Sequence, residues 1–283
     1  MSFIHEKRGD LEYFVPDNIK APAMFAARTG GVSGDNNKNS PLYNLNLGFK
    51  DEYDPAENVL KNYKIIADAL GFSVNNIIYA HQKHTDNILV CDDEFIRAFT
   101  GNREGLPLPL PDDYIYDAMI TDVPGVLLSV RTADCVPVLF WDREHNAVGA
   151  AHCGWKGTLN KLQVKTALKM RETYGTDLNN LKVAIGPGIS KCCYEVSEDF
   201  YKDFINTLGE RVKIYFKEKD DGKYMCDLKG INKMLLLDLL DEKNIEISDN
   251  CTCCEEDLFF SHRRQGEYRG SHANFIGIKD LSG

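Results

Sequence analysis

The amino-acid sequence predicts a mixed α+β fold in which clusters of strands are interrupted by three or four helices. Short apolar, β-branched runs recur between residues 77 and 152, and several are too apolar to keep one face in solvent. Helical periodicity is found in separate stretches on either side of them. Because helices and strands do not alternate one for one, we expect mixed sheets rather than a doubly wound parallel sheet. No repeat or Gly/Ser/Pro-rich linker divides the chain, so we expect a single domain over residues 1–283.

The first helix is predicted between Asp54 and Gly71. Asp54 is expected at the N-cap, Pro55 at the first helical position and Gly71 at the end. Strands are then expected at the runs IIYAHQ, NILVCD, AMITD, VLLSV, VPVLFW and AVGAAH. The stretch between Glu94 and Asp113 interrupts these strands, and its prolines and glycines predict an irregular surface loop.

The remaining elements are predicted in the second half of the chain. A helix ends at Gly175, and the segment LKVAIGPG is expected to be a strand that runs into a turn. A further helix is expected from the N-cap residue Ser197 to about Leu208. RVKIYFK and KYMCD are predicted strands. After Asp227 the segment LKGINKMLLLDLLDEKN predicts another helix, and IEIS predicts a short strand.

The composition excludes several classes of protein. The 33 Lys and Arg residues against 43 Asp and Glu residues give a formal net charge of −10 at pH 7, so we do not expect a nucleic-acid polymer as partner. No apolar run approaches the roughly 20 residues that span a bilayer, and the first residues lack a signal-peptide pattern. We therefore expect a cytoplasmic protein with no membrane partner. In that compartment the nine cysteines are expected as thiols or metal ligands rather than disulfides.

Three residues at the edges of β-rich segments are candidate metal ligands: His84 in AHQKHTDN, Cys135 in VRTADCVPV and His152 in GAAHCGWKG. Two imidazoles and one thiolate suit Zn²⁺, and three protein ligands with an open fourth position are typical of a catalytic site. The spacing alone matches no local zinc motif, so a buried thiol with two core histidines is an alternative interpretation. His81 competes with His84, because residues three apart in a strand point to opposite faces.

Three further segments predict contacts with an anion. The turn that contains Lys156 leads from a strand into a helix, where free backbone N–H groups beside a cation suit phosphate. Arg28 in AARTGGVS, with Asn44 and Asn46 in YNLNLG, could bind a sugar or phosphate. Arg263 and Arg264 follow two aromatic residues in FFSHRRQG, so one of these two arginines, for which Arg264 is the candidate, is expected to point inward at an anion. The structural alternative is that the glycines permit tight turns and the cations lie in solvent.

Five other cysteines form two groups in the sequence: Cys192 and Cys193 in ISKCCYEV, and Cys251, Cys253 and Cys254 in CTCC. A second metal site is one interpretation of these groups. Adjacent cysteines rarely converge on one ion, however, so we expect buried or redox-exposed thiols instead.

Together, these segments resemble the YfiH or laccase-domain family, whose members are described both as multicopper polyphenol oxidases and as purine nucleoside phosphorylases. The resemblance rests on RTGGVS, LNLG, HQKH, RTADCVPV, AHCGWKG, AIGPGIS with CCYEV, and FFSHRRQG, in that order. It implies a four-layer α/β/β/α sandwich with mixed β-sheets, and it implies that His84, Cys135 and His152 bind zinc. The chain departs from the family pattern at Lys156, where Arg is usual; the charge is kept but the bidentate geometry is lost.

The resemblance also implies an activity. Adenosine, inosine and methylthioadenosine would be cleaved by phosphate to a free base and a pentose 1-phosphate, and an adenosine deaminase activity would accompany this reaction. The expected partners are therefore a small nucleoside and phosphate. We hypothesise that Lys156, Arg28 and Arg264 form the cationic cradle that the phosphate requires.

Other functions are consistent with the same residues. Two histidines and a cysteine also suit copper, as in a polyphenol oxidase, but a multicopper cluster needs many more imidazoles than the remaining scattered histidines supply. A cysteine hydrolase would use Cys135 as the nucleophile and a nearby histidine as the base. A non-catalytic regulatory protein with a structural zinc would show no turnover and would unfold without metal.

Overall fold

Two stacked six-stranded sheets form the centre of the molecule. The computed structural model describes residues 3–37, 39–49, 53–100 and 108–280. The first sheet contains, in spatial order, β1 (Ile4–Arg8), β2 (Leu11–Val15), β3 (Ala23–Ala26), β15 (His272–Gly277), β7 (Leu127–Thr132) and β4 (Ile77–Tyr79). The second contains β14 (Ile245–Ile247), β10 (Lys182–Ile185), β8 (Val136–Asp142), β9 (Ala147–Cys153), β6 (Ala118–Thr121) and β5 (Ile88–Val90). A small third sheet has the order β11 (Glu195–Val196), β13 (Tyr224–Cys226) and β12 (Phe216–Glu218).

Both large sheets are mixed, as the sequence predicts. In the first, β4 pairs with β7 in parallel; in the second, β5 pairs with β6 and β10 with β14 in parallel. The other pairings in the two sheets are antiparallel. The predicted strands between residues 77 and 152 correspond to β4 through β9.

The sheets pack face to face and helices cover their outer faces. The helices are α1 (Ala56–Leu70), α2 (Asp93–Thr100), α3 (Trp155–Leu159), α4 (Leu162–Tyr174), α5 (Glu198–Leu208), α6 (Leu228–Leu236) and α7 (His262–Gln265). Helix α1 packs Tyr63 and Ile66 against Met24 and Phe275 of the first sheet. Helices α4, α5 and α6 pack on the second sheet in the same way, so the α/β/β/α sandwich implied by the family resemblance is confirmed.

Side-chain alternation along β8 and β9 decides which residues reach the space between the sheets. Val138 and Ala151 face the covering helices, whereas Leu139, Val148 and Ala150 belong to the core between the two sheets. His152 follows the inward-facing set at the end of β9, since successive side chains in a strand point to opposite faces. This geometry brings one candidate ligand to the end of the inter-sheet core.

Helix α1 begins differently from the prediction. Pro55 stands at the N-cap without a side-chain cap, and the buried Asp54 carboxylate instead accepts hydrogen bonds from the side chains of Asn46 and Asn58. The predicted end is confirmed: Gly71 adopts the left-handed conformation, with φ of 78°, that favours glycine.

Two other predictions are wrong in part. The stretch between Glu94 and Asp113 is not wholly irregular, because α2 forms over Asp93–Thr100 and the Asp92 carboxylate caps it by accepting the Phe95 N–H at 2.8 Å. Residues 101–107 of that stretch lie outside the described residues. The predicted strand RVKIYFK is mostly a 3₁₀ turn over Glu210–Tyr215 that precedes β12. Its apolar residues do not share one buried face, since Ile214 is 82% exposed.

Among the described residues, no helix is both long and apolar enough to cross a membrane.

His272 ties the last strand of the fold to its neighbours. Its Nε2 accepts the Phe260 backbone N–H at 2.7 Å, so Nδ1 carries the proton and donates it to the Thr132 carbonyl at 3.1 Å. Burial and the charges of three nearby arginines lower the pKa of His272 to about 3. Folding therefore requires the neutral imidazole.

We expect this histidine to weaken the fold as the pH falls. Below about pH 6.5 the unfolded chain binds a proton that the folded chain excludes, so stability present above pH 6.5 is lost towards pH 3. Between pH 7 and 5.5 the loss is roughly 1 kcal/mol. Urea unfolding of the native protein and of His272→Gln measures it, because the stability difference between the two should shrink by that amount at pH 5.5. A difference independent of pH would contradict the assignment.

Candidate metal centre

The buried carboxylate of Asp117 organises the turn that carries His84. It accepts the backbone N–H groups of Lys83, His84 and Thr85 at 3.2, 3.1 and 2.6 Å, and the Thr85 hydroxyl at 2.8 Å. His84 adopts a positive φ of 59°, which is uncommon outside glycine. The turn therefore has its conformation imposed by the carboxylate that it surrounds.

A second contact fixes the same turn to the first sheet. The Gln82 side-chain amide donates to the carbonyl of Arg131 at 2.8 Å and accepts its N–H at 2.7 Å. Arg131 lies in β7, four residues before Cys135. The positions of His84 and Cys135 are thereby coupled through the backbone.

His152 shares the same carboxylate. Its Nδ1 donates to Asp117 Oδ1 at 2.7 Å, which leaves Nε2 as the free ring nitrogen. The residue is only 5% exposed. A carboxylate that holds the second nitrogen of a histidine in this way is the usual support of a metal-binding imidazole, because it fixes the tautomer and the ring orientation.

Cys135 follows a residue with a strained backbone. Asp134 has φ of 91°, and its carboxylate accepts hydrogen bonds from the Thr252 hydroxyl at 2.7 Å, the Ser261 hydroxyl at 3.0 Å and the Arg263 N–H at 2.6 Å. These bonds from the C-terminal segment hold the residue in a conformation that a non-glycine side chain rarely adopts. The orientation of the Cys135 thiol is therefore set by contacts that residues far away in the sequence make with Asp134.

The three candidate ligands converge. One ligand atom from each of His84, Cys135 and His152 lies within 4.8 Å of the others. A Cβ atom placed on Gly154 would lie 2.9 Å from His84 Nδ1 and 3.0 Å from the Cys135 sulfur, so the absence of a side chain there leaves the space that these atoms occupy. Two imidazoles and a thiolate at this separation fit a single Zn²⁺-sized ion.

The electrostatics of the cluster favour a cation. Burial alone would lower the pKa of His152, but Cys135 and Asp117 together raise it to about 9. The pKa of His84 is lowered by burial and by the neighbouring His152. The surroundings that favour a proton on His152 would equally favour a metal ion in its place.

His81 is not part of this cluster. Its Nε2 lies 2.7 Å from the Leu110 carbonyl and 3.4 Å from the Asp112 carboxylate. The expectation that His81 and His84 occupy one strand is wrong, since β4 ends at Tyr79 and His84 lies in the turn beyond it. Of the two, the structure brings His84 to the ligand cluster.

The predicted anion contacts divide into one that lies beside the cluster and four that lie elsewhere. Asn44 is one of the four: its side-chain oxygen accepts the Gly31 N–H at 2.9 Å, and it lines the same surface pocket as Arg28. Lys156 is exposed on α3, and its charge contributes to the lowered pKa of His84, so it lies beside the ligands. Asn46 is 2% exposed, and its amide is fully used: it donates to Gly48 and Asp54 and accepts from Gly48 and Ser271. The Asn46 amide therefore has no hydrogen-bond donor or acceptor left for a ligand.

Arg28 and Arg264 also have structural partners. The Arg28 guanidinium donates to backbone carbonyls of three residues and lies 4.8 Å from the centre of the Phe260 ring. Arg28 borders a surface pocket of about 790 Å³ whose lining includes none of the three ligands. The Arg264 guanidinium donates to the carbonyls of Thr252, Cys253 and Phe259. The sequence expectation of an inward arginine is met, but its acceptors are backbone carbonyls of its own segment.

Three residues near the cluster were missed by the sequence analysis: Asp117, Arg131 and Arg269. Asp117 has no motif to mark it and gains its role only by proximity in space. Arg269 interacts electrostatically with Asp134 and Cys135 and with the like charge of Arg131. The Nε atoms of Arg131 and Arg269 are both buried without a hydrogen-bond partner. Two neighbouring guanidinium groups with unused donors are suited to an anion.

The chain thus combines a four-layer α/β/β/α sandwich with two imidazoles and one thiol that face one another at one end of the core between the sheets. The chain belongs to the family described as "Multi-copper polyphenol oxidoreductase laccase", whose sequence profile matches residues 22–279. The family resemblance drawn from the motifs is therefore confirmed.

Relatives in this family carry two kinds of name. "Purine nucleoside phosphorylase YlmD" of Bacillus subtilis is 32% identical over 265 residues, which cover 93% of this chain and 91% of that protein. "Adenosine deaminase RL5", from an unknown prokaryotic organism, is 29% identical over 226 residues, covering 80% of this chain and 83% of that protein. The crystal structure of the hypothetical protein YfiH of Bacillus licheniformis superposes with a TM-score of 0.84 at 31% identity, covering 98% of this chain and 99% of that one.

We expect Asp117→Asn to weaken metal binding by about 10- to 100-fold, because it removes the charge that orients His152 and holds the His84 turn. Competition against a chromophoric chelator measures the affinity. Asp142→Asn is a matched control: Asp142 likewise accepts a histidine ring and two backbone N–H groups, but in a turn between β8 and β9 remote from the ligands. Equal losses in both variants would contradict a specific role for Asp117.

Proposed function

We propose that the protein is a zinc-dependent purine nucleoside phosphorylase that converts adenosine, inosine or methylthioadenosine with phosphate to a free base and a pentose 1-phosphate. Adenosine deamination is proposed as a second activity of the same site. The observation that carries the proposal is the convergence of His84, Cys135 and His152 around one point. Asp117 accepts hydrogen bonds from both histidines. The names of the relatives support the choice of substrate.

The metal proposed here is Zn²⁺. His84, Cys135 and His152 would hold it, and three protein ligands leave one position free for exchange with substrate or water. A zinc ion so held would supply Lewis acidity towards an oxygen atom of the substrate or water. The chain contributes the orientation of the ligands, through the hydrogen bonds of Asp117 and the backbone space at Gly154.

Phosphorolysis also needs a site for the phosphate. In that reaction the bond between C1′ of the sugar and the base breaks with its electron pair leaving on the base, and a phosphate oxygen bonds to C1′. We assign the phosphate to Lys156, Arg131 and Arg269, in place of the Arg28 and Arg264 expected from sequence. Arg131 lies over the Tyr79 ring, and Arg269 donates from Nη1 to the Gly270 carbonyl and the Ser271 hydroxyl, but the Nε atoms of both remain without a partner. Arg28 and Arg264, in contrast, each donate to three backbone carbonyls.

A cysteine hydrolase is the second candidate, and one observation favours it. Cys135 interacts with His152, whose Nδ1 donates to Asp117, and this order of thiol, imidazole and carboxylate is that of a cysteine nucleophile with its base. The position of His84 argues against this function, because a further imidazole within 4.8 Å of the thiol completes a metal-ligand set.

The distribution of histidines argues against a multicopper oxidase. All seven histidines lie in the part of the chain that the structure describes, and two of them converge. His145 is held by Asp142, His81 by Leu110 and Asp112, and His272 uses both ring nitrogens in the core. A cluster of several copper ions would need many more imidazoles at one place.

The first test measures the products. Purified protein of known metal content is incubated with adenosine or inosine, with and without phosphate, and the products are resolved by chromatography. We expect free base and pentose 1-phosphate only when phosphate is present, and a loss on the order of 100-fold or more in Cys135→Ser, which lacks one ligand.

Other outcomes separate the alternatives. Ammonia release from adenosine without any phosphorolysis would leave deamination alone. Oxygen consumption with a phenol would point to the oxidase. Alkylation of Cys135 provides a further comparison: a metal ligand should react only after chelation, whereas a free nucleophile should react in the untreated protein.

The second test concerns the phosphate site. We expect Arg131→Gln to raise the KM for phosphate roughly 10- to 100-fold, since a hydrogen bond to a charged group contributes about 1.5 to 3 kcal/mol. Metal content should not change. Arg211→Gln, which removes an exposed arginine paired with Asp238, serves as the control. An unchanged KM for phosphate in Arg131→Gln would exclude the assignment.

A further inference from the structure

Four cysteines converge at a second place in the molecule. One sulfur atom from each of Cys192, Cys193, Cys251 and Cys254 lies within 4.8 Å of the other three. Cys254 is in contact with both members of the adjacent pair, at 3.2 Å from the Cys193 sulfur and 3.4 Å from the Cys192 sulfur. This arrangement differs from the sequence expectation that the two groups are separate thiols.

The fold explains why these cysteines meet. Strands β10 and β14 are parallel neighbours, so the segments that follow them leave the sheet at the same edge. The cysteine pair lies beyond β10, and the CTCC segment lies beyond β14, with a bridge between Gly188 and Cys251 that joins the two segments. In the CTCC segment, Cys251 and Cys254 have the C-x-x-C spacing that commonly supplies two ligands to one ion.

The dimensions fit a metal ion better than disulfides. Four thiolates around Zn²⁺, each about 2.3 Å from it, are separated from one another by about 3.8 Å in a tetrahedron. The contacts of 3.2 and 3.4 Å and the limit of 4.8 Å bracket that separation. A disulfide joins two sulfurs at about 2.05 Å and would not explain why a single thiol, that of Cys254, contacts two others.

The surroundings supply donors to sulfur and access from solvent. The backbone N–H of Ser190 points at the Cys251 sulfur at 3.4 Å, and the backbone N–H groups of Cys253 and Cys254 also interact with it. Backbone donors of this kind stabilise a thiolate. Cys192 and Cys193 border a surface cavity of about 890 Å³, which gives an ion a path to the cluster.

We propose that Cys192, Cys193, Cys251 and Cys254 bind a structural Zn²⁺ ion, distinct from the ion proposed at Cys135. Four protein ligands leave no open position, so this ion has no substrate to activate. Zinc is favoured because a tetrahedral set of four thiolates suits it. The inference does not depend on the proposed nucleoside chemistry.

A metal ion at the four cysteines would also stabilise the segment that contains Cys135. Thr252, within the CTCC segment, donates its hydroxyl to Asp134, the residue before Cys135. Arg263 donates from its side chain to the Cys193 carbonyl at 3.1 Å and from its backbone to Asp134 at 2.6 Å. An ion that joins the two cysteine segments therefore fixes the residues that hold Asp134 in its strained conformation.

The test compares metal content between variants of the full chain. Protein is purified without chelator and under reducing conditions, and zinc is measured by mass spectrometry of the elements. We expect about two zinc ions per chain in the native protein and about one in Cys251→Ser/Cys254→Ser. Cys135→Ser should also lose one ion, but the other one. Cys253→Ser is the matched control, because Cys253 lies between the two replaced residues but outside the cluster, and it should retain both ions.

X-ray absorption at the zinc edge tests the native protein without any substitution. With both sites filled, the average sulfur coordination should lie between the one sulfur of the first site and the four of the second. In Cys135→Ser the remaining zinc should show four sulfur ligands at about 2.3 Å. This measurement decides the question even if the double cysteine variant fails to fold.

Several results would overturn the inference. A native protein with one zinc ion, which Cys135→Ser removes, would exclude the second site while leaving the first intact. A disulfide among the four cysteines in the reduced protein, detected by peptide mass, would do the same. Iron instead of zinc at the four sulfurs would refute the assignment of the metal.

Discussion

The candidate site depends on one buried carboxylate. Asp117 is 1% exposed and receives five hydrogen bonds, four from the turn at residues 83–85 and one from His152. Burial alone would raise the pKa of Asp117, but these donors hold it below the usual value, so the group stays ionised. An ionised carboxylate in the interior is costly unless its lone pairs are used. The turn and the imidazole therefore adopt their positions around the charge, and two ligands come from segments about seventy residues apart in the sequence.

Asp134 is the buried carboxylate that orients the Cys135 segment, as Asp117 orients the two histidines. It takes donors from the C-terminal segment, whereas Asp117 takes donors from the turn after β4 and from the end of β9. His84 and Cys135 both lie in connections between the two sheets, from β4 to β5 and from β7 to β8, and His152 lies near the end of β9 in the second sheet. Stacking the sheets brings these segments to one end of the core, and the two aspartates set the orientation of each side chain there. The packing of the two sheets brings the three ligand residues close together, and the two buried carboxylates fix the orientations of their side chains.

Periodicity and capping residues predict the elements whose burial follows a simple pattern. The strands from β4 to β9 are apolar runs, and α5 has its expected cap, with the Ser197 hydroxyl accepting the Phe200 N–H. Strand β1 carries no such signal, because all five of its side chains are exposed. The three candidate ligands could be named from their sequence motifs, but the hydrogen-bond partners of the polar side chains could not. Arg28 and Asn46 look like ligand-binding residues in the sequence. Only the fold shows that Arg28 is bound to backbone carbonyls and Asn46 to Gly48 and Asp54. The cysteine cluster had a readable signal in the spacing of Cys251 and Cys254, but its convergence with the adjacent pair depends on the parallel pairing of β10 and β14.

The position of β15 has a consequence for biosynthesis. This strand is the last in the sequence, yet it lies between β3 and β7 in the middle of the first sheet. While the chain emerges from the ribosome, β3 and β7 have no common neighbour, and both expose edge hydrogen-bonding groups that invite wrong pairings. The second sheet is complete once β14 has emerged, so it can assemble earlier. Closure of the first sheet, and with it the placement of the segment that holds Asp134, is therefore a late, long-range step of folding in the cell.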